Sequence, residues 1–202
     1  LAAMTLTIGI ISCTPNICDH PDAPIREVPF TQVHIQDRFW SPRIETNRTV
    51  SIPSAFRECE KNGRFDNFAI AAGLMKGEHR GDFPFDDTDP YKIIEGASYS
   101  LAVKYDPELD HYLDSVISII AAAQEPDGYL TTCVTNKCHR LSGWWGSSRW
   151  EKLNSHELYN SGHLYEAAVA HYLATGKRSL LDVAIKNADL VCQVFGPGEN
   201  QK

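Results

Sequence analysis

After Pro53 the sequence repeats one pattern: an apolar stretch with helical spacing, a short polar turn, then another such stretch. Phe65 to Met75 reads as one apolar helix. Asp89-Pro90 opens the next, Asp as cap and Pro in the first turn, with Ile93, Ile94, Ala97, Leu101 and Ala102 on one face. Pro107 opens a third, with Leu109, Leu113, Val116, Ile117 and Ile120 spaced three and four apart. Ser155 reads as the cap of a long helix, His156 to Ala174, stopped by Gly176, and Leu180 to Val194 gives one more. No Val- or Ile-rich strand intervenes, so the βα alternation of a Rossmann or TIM fold is excluded. The pattern predicts an all-α array of helical hairpins, a toroid or a solenoid. Ile117 to Ala123 is apolar on more than one face, as expected of an inner-ring helix. Ahead of the array, Val28 to Trp40 alternates through Val33 and Ile35, which predicts a short strand or extended lead-in.

Composition narrows the partners. Hydrophobic residues make up 43% and the net charge is -7, so disorder is not expected and phosphate backbones would be repelled. Nucleic acid is therefore not an expected partner. Leu1 to Ser12 is short, apolar and uncharged, the size of a signal-peptide core. With Cys13 it resembles a bacterial lipobox. Residues 1–13 are thus expected to be a signal with lipidation at Cys13, 14–27 a proline-bearing tether, and 28–202 a domain. That places the protein in the periplasm or on the outer membrane, held through a lipid anchor. The basic stretch that normally opens such a signal does not precede Leu1. The other end, Phe195 to Lys202, carries the helix-stopping pair Gly196-Pro197. Both ends read as cut.

Three polar constellations interrupt the helical rhythm. Ser155 to His163 is a dense polar cluster, with His156 and His163 on one helix face. It fails as a zinc-protease motif because position 160 is Asn. It can serve as a site for hydroxyl or anionic ligands at a helix N-terminus, or its polar groups can satisfy one another in the core. Asp86, Asp87 and Asp89 precede a helix, as caps, as sugar-hydroxyl acceptors or as a partner for a catalytic acid. Gln124 to Leu130 holds an Asp-Gly turn followed by Tyr129. The segment Thr131 to Leu153 is long, polar and aromatic, with Trp144, Trp145 and Trp150 able to stack on sugar faces. Its Cys133 and Cys138 fit a loop-closing disulfide, two free thiols, or two metal ligands, with an exported setting favouring the disulfide.

Five segments together resemble the N-terminal part of the β-L-arabinofuranosidases of glycoside hydrolase family 127. They are Val33 through Arg43; Phe85 through Lys92 with Glu95; Ala123 through Leu130; Ser155 through Tyr159 with Gly162-His163; and Glu166 through Gly176. The resemblance implies an incomplete (α/α)6 barrel, a six-hairpin toroid. It also implies that the parent protein is a retaining exo-enzyme removing terminal β-L-arabinofuranose from plant glycans. Its nucleophile would be a zinc-bound cysteine thiolate, with a glutamate as acid/base. None of this chain's cysteines matches the Glu-x-Cys and Cys-Cys pattern of that zinc site, so no catalytic residue or metal ligand is assigned here, and the chain alone is expected to be inactive. His156 is carried over as sugar-contacting. Asp87, Tyr129 and His163 are further candidates, and the segment Thr131 to Gly146, which departs from the family, is expected to shape the substrate entrance. The competing readings are a non-catalytic carbohydrate-binding toroid and a helical scaffold for protein partners.

Overall fold

A computed structural model describes residues 28–202. The proposed signal, Cys13 and the tether lie outside the described residues. The described chain is helical and has no strand. A 3-10 turn, Phe30–Gln32, leads through extended residues to α1, Trp40–Thr46. The strand expected from the Val33/Ile35 alternation is absent, because a lone strand has no neighbour to satisfy its backbone. Asp37 instead accepts from the Phe39 and Trp40 amides at the head of α1.

Helix also begins earlier than Pro53 suggests. A π turn, Asn47–Ser51, joins α1 directly to α2, Ile52–Lys61. Pro53 lacks the amide that would close an ordinary turn, and widening the helix just before it accommodates that loss. Then follow α3, Arg64–Ala71, α4, Thr88–Val103, and α5, Pro107–Ala123. The Asp106 carboxylate caps α5 by accepting from the Glu108 and Leu109 amides. α8, Glu157–Thr175, and α9, Ser179–Val194, complete the array. Gly176, at φ 73°, ends α8 in the left-handed conformation that favours glycine.

The segment between α5 and α8 is more ordered than a loop. It contains α6, Thr132–Thr135, and α7, Ser142–Trp145, with single 3-10 turns at His139–Leu141 and Leu153–Ser155. Cys133, Cys138, Leu141 and Trp145 form a small core of their own there. Cys133 and Cys138 are free thiols rather than the expected disulfide.

The helices pack in two layers. α4 lies along α8, while α5 contacts α3 and α9. The turns Lys104–Asp106 and Gly176–Arg178 fold α5 back on α4 and α9 back on α8. The N-terminal ends of α4 and α8 meet, with the Phe85 and His156 rings 4.7 Å apart, so these two helices run parallel. Ala167, Ala168 and Ala170 keep α8 slim and allow its close approach to its neighbours. Between the layers Phe68, Tyr91, Ile94, Leu113, Ile117, Ile120, Leu164 and Leu180 are fully buried. Each contributes about 1.5–3 kcal/mol of burial. The helix with two apolar faces is α8, not α5: beyond its buried stripe it leaves Leu158, Tyr159, Val169, Tyr172 and Leu173 exposed. The outward face of α5 is polar, with exposed His111, Ser115 and Ser118.

Candidate functional site

A cavity of about 560 Å3 opens at the head of α8. Its wall includes Trp150, Asn154, His156, Glu157, Tyr159 and Phe195. Glu157, the first residue of α8, organises that wall. Its carboxylate is 2% exposed and carries four donated hydrogen bonds. The Trp150 amide donates to both oxygens at 3.0 and 2.9 Å, and Ser155 Oγ donates at 2.6 Å. The third donor, making the fourth bond, is the Tyr129 hydroxyl. Its position in the first turn adds the favourable helix dipole.

The backbone on this anchor is unusual. Trp150 and His156 are left-handed, with φ of 61° and 59°. Non-glycine residues in this region cost of order 1–3 kcal/mol unless their surroundings hold them there. Both ends of the Trp150–His156 segment hang on Glu157, which supplies that restraint. Ser155 is therefore not a simple N-cap as expected. Its hydroxyl serves the Glu157 carboxylate, and the cap position belongs to His156.

His156 turns its ring among Phe85, Tyr159 at 5.9 Å and Trp144 at 6.2 Å. Its Nδ1 lies 2.6 Å from the Asn154 carbonyl. A carbonyl only accepts, so Nδ1 carries a proton, and in the neutral ring Nε2 is an acceptor for a ligand hydroxyl. Tyr159 is fixed by Lys92, whose Nζ donates to its hydroxyl at 2.8 Å. Aromatic faces beside a hydroxyl acceptor are the ingredients of a sugar site.

The other sequence candidates lie elsewhere. Tyr129 is 0% exposed, behind the wall, and acts on His156 only through Glu157. Arg149 stacks over its ring and pairs with Asp127 and Glu125. Asp87 is 2% exposed and does not cap α4; the Thr132 amide donates to it at 2.7 Å and the Thr132 hydroxyl donates to its other oxygen. Burial pushes its carboxyl up to about 7, with the Thr132 hydrogen bonds opposing the shift. Asp86, one residue earlier, is also raised by burial, against the pull of Arg64 at 3.1 Å. His163 lies two turns along α8, 3.1 Å from Glu166 but off the hydrogen-bond line, with its ring edge-on to Tyr159. It does not line the cavity.

Of the three tryptophans read as sugar platforms, Trp150 alone is in the cavity wall, while Trp144 packs edge-on against Phe83 and Phe85 beside His156. Trp145 is buried and donates to the Cys138 carbonyl at 3.3 Å, and Trp150 packs edge-on against Tyr129. Glu157 and Phe85 sit inside motifs the sequence singled out, but nothing local marks the first as an anchor or the second as a ring packed on His156. The donor sets among the described residues do not fit a zinc site of the Glu-x-Cys and Cys-Cys kind. The one with sulfur joins His79, Cys133 and Cys138, with no carboxylate and no adjacent cysteines.

Residues 32–202 match the family described as β-L-arabinofuranosidase, GH127 catalytic domain. A non-reducing end β-L-arabinofuranosidase of Bifidobacterium longum subsp. longum is 42% identical over 137 residues, which is 67% of this chain and 20% of that protein. A solved GH127 β-arabinofuranosidase superposes with a TM-score of 0.81 at 52% identity, over 87% of this chain and 28% of the other. A GH127 β-L-arabinofuranosidase from Geobacillus stearothermophilus T6 gives 0.78 at 41%, over 84% and 27%. The helical layers thus belong to a partial (α/α)6 toroid, and the chain spans between a fifth and a third of the length of these relatives.

Proposed function

The chain belongs to glycoside hydrolase family 127, and from that premise we propose that it supplies one wall of the sugar site of a retaining exo-enzyme. The parent protein releases terminal β-L-arabinofuranose from plant glycans. The observation that carries this reading is the presentation of His156. A strained left-handed residue is held at the cavity rim by a buried carboxylate, with its acceptor nitrogen left for a hydroxyl and aromatic rings around it. His156 binds and orients the sugar, Trp144 and Phe85 exclude water beside it, and Glu157 with Tyr129 positions His156.

The nucleophile and acid/base are not among the described residues. Zinc, where the family resemblance places it, would hold a cysteine thiolate ready for attack. The donors here do not match that set, so no step is routed through it. Export with a lipid on Cys13 is part of the same proposal, resting on the sequence of residues 1–13 alone.

The test replaces His156 with Ala in the full-length protein and follows release of L-arabinose from an aryl β-L-arabinofuranoside. Losing one hydrogen bond to substrate lowers kcat/KM by about 10- to 100-fold, with little change in thermal stability because the ring is part-exposed. Unchanged kcat/KM removes His156 from the site. A wild-type enzyme that leaves every β-linked arabinofuranoside intact removes the substrate assignment.

A further inference from the structure

Away from the His156 cavity, the fold gathers three soft donors from two distant segments. His79 lies in the connection between α3 and α4. Cys133 sits in α6, and Cys138 follows it by one tight turn, its amide bonded to the Cys133 carbonyl at 3.0 Å. One ring nitrogen of His79 and both Sγ atoms lie within 4.8 Å of one another. All three residues are buried, at 8%, 0% and 8% exposure.

The imidazole is poorly served by its surroundings. Its Nε2 is enclosed and has no hydrogen-bond partner. Its Nδ1 has only Asn136 Nδ2 at 3.5 Å, beyond ordinary hydrogen-bond length. Buried polar atoms are almost always partnered, so an orphaned imidazole beside two buried thiols calls for an occupant. A Cys133–Cys138 disulfide would use the two sulfurs and leave the ring as it is. A metal ion would engage all three groups.

Two other clusters were weaker. Asp110, Asp114 and His171 converge, but the Lys177 ammonium lies 2.7 Å from each carboxylate and already supplies the cation. Glu95, His163 and Glu166 converge on a more open face of α4 and α8, with Glu166 exposed.

We propose that His79, Cys133 and Cys138 form a zinc site that ties the Thr131–Trp145 segment to the α3–α4 connection. Two thiolates and an imidazole are the donor types that zinc selects, and three protein donors leave the fourth tetrahedral position to a solvent molecule. On binding, the two thiols give up their protons to solvent. The two thiolate charges then balance the ion, so the filled site adds no net charge to the interior. The same junction is held by Asn136, which donates to the Asn67 carbonyl at 2.9 Å, and by Arg140, which reaches Asp82 and the Gly81 carbonyl. Beyond it the chain runs through α7 to Trp144, beside His156. The ion therefore sets the root of the segment that carries an aromatic ring to His156.

The experiment uses the full-length protein, purified with its thiols reduced, beside C133S/C138S and H79N. Zinc per chain is read as a difference between variants, so zinc held elsewhere cancels. The wild type is expected to carry one more zinc than C133S/C138S, and H79N to bind that ion at least about tenfold more weakly. Equal zinc in wild type and C133S/C138S overturns the site. Should the double variant fail to fold, alkylation of the wild type decides. Zinc shields Cys133 and Cys138 from iodoacetamide, and a chelator exposes them. Labelling that ignores the chelator overturns the proposal. So does protein isolated from its own compartment with these two cysteines oxidised to a disulfide, which reads as a loss of two hydrogen atoms in mass.

Discussion

The Asp87 carboxylate is closed off from water and accepts both donors that Thr132 offers. In the unfolded chain it ionises near 3.8; in the fold, burial moves that to about 7. Between these values the folded protein keeps a proton that the unfolded chain has lost. Stability therefore falls as pH rises through this window, by at most about 4 kcal/mol, and the loss is complete above the folded value. Asp87→Asn removes the ionisation and keeps the shape, since the Thr132 hydroxyl can turn to accept. Urea unfolding at pH 4 and pH 8 is expected to show a smaller drop in the variant than in the wild type. An identical drop would show that Asp87 ionises freely. This role was not legible in sequence. Asp87 stands before a helix, as a capping residue does, and its true partner lies 45 positions away. The same holds for Glu157 and Tyr129: the polar cluster and the Asp-Gly-Tyr turn both stand out, but only the fold joins them.

The turn from Gln124 to Tyr129 shows at the level of an element why that motif has its composition. Gln124 Nε2 donates to the Gly128 carbonyl at 3.1 Å and to the Val183 carbonyl of α9 at 2.8 Å, and Asn187 donates to the Gly128 carbonyl at 2.9 Å. Gly128, at φ 101°, presses its α-carbon against the Lys186 carbonyl, where a Cβ would collide with backbone. Gly128→Ala is expected to cost about 2–4 kcal/mol from the backbone strain and the clash together, read as a lower midpoint of urea unfolding. A variant as stable as the wild type would detach this turn from α9. Elements were the most legible level of this chain. α5 and α9 carry their apolar spacing openly, and Pro107 and Asp106 mark the start of α5 by a cap that depends on neighbours alone. α1 was hidden because Val33 and Ile35 mimic strand alternation, and the π turn was hidden because widening a helix leaves no mark in hydrophobic spacing.

At the scale of the molecule, helix order without strands sufficed for a hairpin array, and the five family segments for its closure into a toroid. Which helix carries two apolar faces was misread, because the small residues of α8 look less apolar than the isoleucines of α5. No helix among the described residues is long and apolar enough to cross a membrane, and a lipid on Cys13 is the attachment proposed above. If that anchor is present, Cys13→Ser is expected to move the protein from the membrane fraction to the soluble one; retention in the membrane would discard the lipid anchor. The parallel course of α4 and α8 has one more consequence. Each must be followed by a helix that returns to the starting end, so long and short connections sort to opposite rims. Lys104–Asp106 and Gly176–Arg178 close the far rim, while the connections from α3 to α4 and from α5 to α8 both open on the rim that holds His156. Changes in connection length are then confined to one side of the ring. Relatives can acquire or shed whole segments around the proposed sugar site, and so diverge in what they accept, while the far rim and the packed layers stay as they are.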